Sequence, residues 1–484
     1  MPYLLILIPL LGLIILNLPA GNIMKRFAFL FAMALFLVQI FIAVFQHVTF
    51  WNNRFEVFDT FFKVNFYVDH LSFIMMLSIG IVALAALLVG RCTIKDPDER
   101  FNFINLLIIS NIGMSGVVMV QDIFSMYVFL EIVAVSSFIL IAFQRKKLAL
   151  EGAFKYMVMS AIATIMMLTS IALIVMLSGS ATFTAIRSAI IASDKSHFVI
   201  LAAGIFICGL FIKGGLVPFH GWLPDAYTSA SAPVSVLLAG IVTKVSGIYT
   251  IIRIVTSLFG FTPQISGTLM LVGTISILVG AFAAMGQNDF KRMLAYSSIS
   301  QVGYIILGLG TGTALGIIGA VFHLFNHSIF KTLLFVNSAA VETELGTSDM
   351  TKMGGLSQKM PVAGATSMLG FLSTSGIPPL AGFWSKLIII IACIQANRPG
   401  LALAAAIVSI LTLGYYFKAL SPALFGTESQ ISIADNTKRV PLTMELAMVF
   451  LAALTIFIAF SLLPNQANSL LKDAASVLTT GILK

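Results

Sequence analysis

Ile200-Leu201-Ala202-Ala203-Gly204-Ile205-Phe206-Ile207-Cys208-Gly209-Leu210-Phe211-Ile212-Lys213-Gly214-Gly215-Leu216-Val217-Pro218 is the stretch that decides the fold. Its apolar run has no period-two alternation, so it reads as a helix, not as a strand of a barrel. Extended over 197–217 it is long enough to span about 30 Å of hydrocarbon at 1.5 Å per residue. At its end stands a lysine, followed by two glycines and a proline that no continuous helix accommodates. A membrane helix carrying a charge and then a break is thus the first expectation.

The rest of the chain has the same character. Of 484 residues, 59% are hydrophobic, 10% are charged, and the mean hydropathy is +1.03. Soluble chains carry about 25% charged residues, and a backbone in lipid must satisfy its own hydrogen bonds. Hydropathy gives about fourteen spans, at roughly 3–18, 27–47, 66–90, 103–120, 123–143, 152–178, 197–217, 229–256, 267–285, 293–310, 314–339, 361–395, 400–420 and 442–463. The N-terminal run after Met1-Pro2-Tyr3 lacks a charged leader and reads as the first span, not as a cleaved signal.

An even number of spans puts both termini on one side, and the basic residues then sort by face. One face collects 15: Lys25, Arg26, Arg91, Lys95, Arg100, Arg145, Lys146, Lys147, Lys291, Arg292, Lys352, Lys359, Lys418, Lys438 and Arg439. The other collects 8: Arg54, Lys63, Arg187, Lys195, Arg253, Arg398, Lys472 and Lys484. The richer face is expected in the cytoplasm and both termini on the outer face of a cell membrane. The net charge of +9 therefore reads as a topology signal, with no nucleic-acid partner. Cys92, Cys208 and Cys393 lie far apart in no metal-ligand pattern and read as small hydrophobes.

Five lysines fall within spans: Lys155, Lys213, Lys244, Lys331 and Lys386. Glu131, in the middle of 123–143, is the only acid well inside a span. A charge at mid-bilayer costs at least about 2.5–3.5 kcal/mol, so Glu131 is expected either to pair with a cation or to be protonated. A lysine beside one mobile counter-charge switches between neutral and charged forms, which a proton carrier requires; arginine does not. His323, His327 and Lys331 recur every four residues on one helical face. That spacing suits a metal, a packed neutral pair or a proton relay; no carboxylate or cysteine stands near to complete a metal site, and the relay is preferred. Lys386 follows the break Gly376-Ile377-Pro378-Pro379, whereas Lys155 sits near an end and is expected to snorkel. Helix breakers thus interrupt three spans, the seventh at Gly214-Gly215 and Pro218, the eighth behind Pro224 and Pro233 and the twelfth at Gly376 to Pro379, and interrupted helices in two parts of a chain point to an inverted-repeat transporter.

Several segments carry a resemblance. They are Lys213 through Ala226 (Lys-Gly-Gly-Leu-Val-Pro-Phe-His-Gly-Trp-Leu-Pro-Asp-Ala), Leu238-Ala239-Gly240 through Lys244, and Lys291-Arg292-Met293-Leu294-Ala295-Tyr296-Ser297-Ser298-Ile299-Ser300-Gln301. His323-Leu324-Phe325-Asn326-His327 and Gly376 through Lys386 complete the set. From about residue 60 to 420 the chain resembles the antiporter-like subunits shared by Mrp sodium/proton antiporters, respiratory complex I and membrane-bound hydrogenases. The resemblance implies an all-α membrane fold of fourteen helices: N-terminal helices in 1–100, two inverted five-helix repeats in 101–260 and 261–422 with helices 7 and 12 broken, and a last helix with a tail in 423–484. It implies that Glu131 pairs with Lys213, that Lys244 is the central carrier, that His323, His327 and Lys331 connect the halves, and that Lys386 exchanges protons with the outer face. It also implies other membrane subunits as partners, with protons as the cargo and sodium as an alternative. A lysine at 386, where one complex I homologue has glutamate, and a chain that stops about twenty residues after the last span fit an Mrp D-type subunit or its hydrogenase counterpart. No catalytic, cofactor-binding or metal-binding residue is assigned; redox chemistry would lie in other subunits.

Overall fold

The structure is a computed structural model that describes residues 3–18, 22–45, 55–57, 64–193, 196–425 and 440–460. Among the basic residues sorted above, Arg54, Lys63, Lys195, Lys438, Arg439, Lys472 and Lys484 lie outside the described residues. Each expected span has its helix. They are α1 (Leu4–Leu16), α2 (Asn22–Phe45), α3 (His70–Thr93), α4 (Pro97–Met119), α5 (Ile123–Ala142), α6 (Lys147–Ser178) and α7, broken into α7a (Ser196–Gly214) and α7b (Trp222–Ser229). Then follow α8 (Ala232–Phe259), α9 (Pro263–Met285), α10 (Phe290–Gly310), α11 (Ala314–Leu345), α12, broken into α12a (Pro361–Ser375) and α12b (Ala381–Gln395), α13 (Pro399–Phe425) and α14 (Leu442–Phe460). Among the described residues twelve are long and apolar enough to cross a membrane; α1, with 13 residues, and the two halves of α12 are shorter. The protein is a multi-pass membrane protein. A two-stranded hairpin, β1 (Phe55–Val57) with β2 (Val64–Phe66), precedes α3.

Helix starts are set by side chains that satisfy the first, otherwise unbonded N–H groups. Asp69 accepts from the Ser72 N–H at α3, Asp122 from Ser125 at α5, Asp289 from Arg292 at α10 and Thr313 from Gly316 at α11. The third span accordingly begins at His70 and not at 66, because Asp69 caps it. The α6 and α11 helices both run for 32 residues and both stop at a glycine in the left-handed conformation, Gly179 and Gly346. The chain then returns to the start of an earlier helix: Thr182 bridges Asp122, and Asp349 bridges Asp289. Each member of the second set lies 167 residues after its counterpart in the first.

Both interruptions are real. Between α7a and α7b, Gly215 is left-handed, the Val217–Pro218 peptide is cis, and Phe219–Gly221 forms one 3-10 turn. The prolines expected to interrupt the eighth span do not break it: Pro224 lies within α7b, and Pro233 lies in the first turn of α8. Between α12a and α12b, Gly376 is left-handed and the Pro378–Pro379 peptide is cis.

The α8 helix is enclosed on all sides, with α10 and α11 nearly so, while α2, α6 and α13 turn much of their surface outward. Small residues let α8 sit this deep. A Cβ on Gly247 would lie 2.3 Å from the Cα of Gly214, so α8 and α7a touch backbone to backbone directly beside Lys213. Gly247→Leu is therefore expected to lower the unfolding temperature in detergent, with a cost of at least about 1–3 kcal/mol. Gly204→Leu, where a Cβ meets nothing within 4 Å, should leave that temperature unchanged or raise it slightly.

Candidate functional site

The site is built outward from Glu131, a carboxylate in the middle of α5. Glu131 projects from α5 toward α7a, where Lys213 occupies the last turn before the glycine break. Lys213 Nζ donates to Glu131 Oε1 at 3.0 Å and to Ser160 Oγ at 3.3 Å, and Thr164 Oγ1 donates to Glu131 Oε1 at 2.7 Å. The lysine is dry, with 1% of its side chain exposed, while the carboxylate keeps 29%. Ser160 and Thr164 are one turn apart on α6, so that helix supplies an oxygen to each partner of the pair.

Lys244 lies at the centre of α8, fully buried. Around it the helix leaves the α geometry: Leu238–Val242 and Lys244–Tyr249 are π-helical. Wider turns of this kind leave carbonyls imperfectly bonded along the helix and recur at functional positions. Lys244 Nζ turns back to one of these, the carbonyl of Ala239. The preceding Thr243 hydroxyl pairs with the Tyr227 hydroxyl of α7b at 2.8 Å. Among the described residues no hydrogen bond joins Lys213 to Lys244.

His323, His327 and Lys331 are completely buried on α11. The two imidazoles lie parallel, with ring centres 6.2 Å apart. His323 Nδ1 is 2.8 Å from Ser385 Oγ of α12b; His323 Nε2 and both nitrogens of His327 have no hydrogen-bond partner among the described residues. Lys331 Nζ donates to the Leu294 carbonyl at 2.9 Å and to Ser297 Oγ at 2.8 Å, and Ser297 Oγ is 2.5 Å from the Tyr416 hydroxyl. Lys386 sits past the second break. Its Nζ donates to the Thr374 carbonyl at 2.8 Å and lies over the Tyr304 ring, 4.7 Å from the centroid. That ring is in turn 5.9 Å from His323. His323 and Lys386 are thus brought together through one tyrosine, and Lys331 is held by α10.

The sequence reading did not single out Ser160, Thr164, Ser297, Tyr304, Ser385 or Tyr416. Their signal was faint: hydroxyls on otherwise apolar helices, most visibly the run from Tyr296 to Gln301. Two assignments are corrected. Arg253, counted above with the basic residues of one face although the span 229–256 contains it, is a buried member of α8, held by Asp69 through Nη1 to Oδ2 at 2.5 Å and Nη2 to Oδ1 at 2.9 Å, with the Tyr249 hydroxyl at 2.8 Å from Nη2. Lys291 was placed in a loop, but it lies in the first turn of α10, buried and paired with Glu342 at 2.5 Å. Hydropathy weighs each segment by itself and cannot foresee a partner on another helix. Lys155 is half-exposed and bridges Glu151 and Asp225, both at 2.7 Å, which agrees with its expected position near a helix end.

An enclosed helix, two broken helices and a set of buried lysines and histidines define a membrane ion-transport scaffold. The family described as NADH:quinone oxidoreductase/Mrp antiporter, TM, matches residues 120–412. The D-type subunit of the Na(+)/H(+) antiporter of Alkalihalophilus pseudofirmus is 32% identical over 410 residues, which cover 84% of this chain and 83% of that one. The N-type subunit of the NADH-quinone oxidoreductase of Desulforudis audaxviator is 32% identical over 366 residues, covering 73% and 72%. A chain in the structure of the membrane-bound sulfane sulfur reductase, an archaeal respiratory membrane complex, is 27% identical with a TM-score of 0.88, covering 100% of this chain and 99% of that one. The chain belongs to the NADH:quinone oxidoreductase/Mrp antiporter family and is an antiporter-like membrane subunit of it.

The Arg253–Asp69 pair makes a separate prediction. Arg253→Met leaves Asp69 buried without its cation and is expected to destabilise by about 3–5 kcal/mol; adding Asp69→Leu removes the stranded charge and should recover most of the loss. Thermal unfolding of the three proteins in detergent checks both signs.

Proposed function

We propose that this chain translocates protons as the D-type subunit of an Mrp-like sodium/proton antiporter. In this mechanism Glu131 and Lys213 form a switchable pair, Lys244 is the central carrier, His323, His327 and Lys331 connect the two halves, and Lys386 exchanges protons with the outer face. The observation that carries it is the chemistry of the buried set: three dry lysines, Lys244, Lys331 and Lys386, bonded to carbonyls and hydroxyls with no carboxylate within ion-pair distance among the described residues. Such an amine has no fixed counter-charge to hold its proton. At an effective dielectric of 20, two unit charges about 4 Å apart interact by about 4 kcal/mol, equivalent to roughly three pKa units. Separating Lys213 from Glu131 therefore alters the balance of proton affinity between these two partners by up to that amount, and this is the step that starts a proton along the row.

The inverted repeats 101–260 and 261–422 belong to the same proposal. The matching 32-residue helices and the return bridges spaced by 167 residues support them. At that offset Ser160 and Thr164, which flank the first pair, correspond to His327 and Lys331, and Glu131 corresponds to Ser298. The two halves thus share a frame but divide the titratable groups between them. The membrane is the cell membrane, both termini lie on the outer face, and other membrane subunits complete the complex.

A second reading has its own observation. The similarity to the sulfane sulfur reductase chain runs over nearly the whole length of both. In that case the chain is the proton-pump module of a redox-driven complex, and hydrophilic iron–sulfur subunits would co-purify with it.

The test is transport in membrane vesicles carrying the assembled complex. Lys213→Ala and Glu131→Ala are each expected to reduce proton movement at least tenfold, and unchanged transport in both would sink the switch. Lys244→Arg and Lys386→Arg separate relay from pairing: arginine keeps the charge but not the exchangeable proton. Both should be as inactive as the alanine variants, whereas a structural role would be rescued.

A further inference from the structure

We propose that the ends of α2, α3 and α4 on the lysine- and arginine-rich face form a binding site for the phosphate headgroup of an anionic phospholipid. A cavity of about 310 Å³ opens there, lined by Lys25 and Arg26 of α2, Arg91 of α3 and Arg100 of α4 over a floor of Phe29 and Ile104. Four cations from three helices converge on one space. The α3–α4 turn also carries Asp96, Asp98 and Glu99, but among the described residues only Asp98 pairs with a cation of the cavity, Lys25. Arg91 is held over the Phe29 ring at 4.6 Å from its centroid, and Arg100 Nη1 reaches the Arg91 carbonyl at 3.4 Å. Both guanidinium groups are therefore positioned, and neither is neutralised. A fork of N–H donors fixed in this way suits a phosphodiester better than a chloride or a carboxylate side chain.

The apolar face of α2 that continues from Arg26 at helical spacing, through Leu30 and Leu37 to Phe41, says which phosphate. Phe27 and Leu30 are exposed on α2 beside the basic pair, and Leu37, Val38 and Phe41 continue that outward face toward the middle of the membrane. A soluble phosphate would use the cations alone. A phospholipid uses both, its headgroup in the cavity and its acyl chains along α2. Basic pockets between membrane helices on the anionic leaflet follow this pattern. The site stands apart from Glu131, Lys213 and the α8–α12 row, so it is independent of the transport proposal.

The experiment titrates the purified complex in detergent with phosphatidylglycerol, phosphatidylcholine and inorganic phosphate, reading bound lipid by native mass spectrometry and the unfolding temperature in parallel. Phosphatidylglycerol is expected to bind and to raise that temperature; the other two should do neither. Each lost cation should weaken binding about fivefold, so Arg91→Gln with Arg100→Gln weakens it roughly twenty-five-fold. If that variant does not assemble, Lys25→Gln with Arg26→Gln, at the more open end of α2, reads the same effect. Lys146→Gln with Lys147→Gln, on the same face but away from the cavity, should change nothing. Equal binding of phosphatidylcholine, displacement by inorganic phosphate, an equal loss in the Lys146/Lys147 control, or a cavity occupied by a neighbouring subunit would each overturn the site.

Discussion

An ammonium group removed from water loses several kcal/mol of solvation, and this protein buries Lys213, Lys244, Lys331 and Lys386 with a single carboxylate, Glu131, among them. Much of the surrounding architecture follows from how the other three are held. Their oxygens come from the backbone and from hydroxyls, and a regular helix has few carbonyls to spare. For Lys244 and Lys386 the chain obtains them by departing from regular helix, whereas Lys331 shares the Leu294 carbonyl of the regular helix α10 and the Ser297 hydroxyl. Ala239 lies where α8 is π-helical, and Thr374 lies in the last turn of α12a, where the break leaves carbonyls without an onward partner. The broken helices and the buried lysines are two sides of one constraint.

The charges inside this membrane protein fall into two kinds. Arg253 and Asp69 are both fixed, doubly hydrogen-bonded and tied to Tyr249 and Ser72. Such a pair joins α3 to α8 and has no reason to change protonation. Lys244, Lys331, Lys386 and the α11 histidines make up the other kind, and the partners they have among the described residues are neutral. Where an arginine would lock a charge in place, a lysine against a carbonyl keeps the option of losing its proton. Tyr304, lying under Lys386 and beside His323, links members of this second set without adding a charge.

Much of this was legible in the sequence. The spans, the breaks in the seventh and twelfth, and the location of the seven candidate residues within helices could be read because lipid punishes a charge or an unbonded carbonyl wherever it falls along the chain. The hydroxyls that serve those residues were not legible. Ser297, Ser385 and Tyr416 resemble other serines and tyrosines on apolar helices until Lys331 and His323 are seen beside them. The burial of Arg253 and Lys291 was not legible for the same reason: their partners, Asp69 and Glu342, are distant in the chain.

By itself the sequence determined that the chain is helical, that it crosses the membrane many times and where its helices must break, since each of these depends on the solvent around a segment and on local backbone chemistry. Only the tertiary structure decided which charges are paired and which stand alone. Pairing depends on contacts between helices far apart in sequence, set by close approaches such as Gly247 against Gly214, and hydropathy carries no information about them.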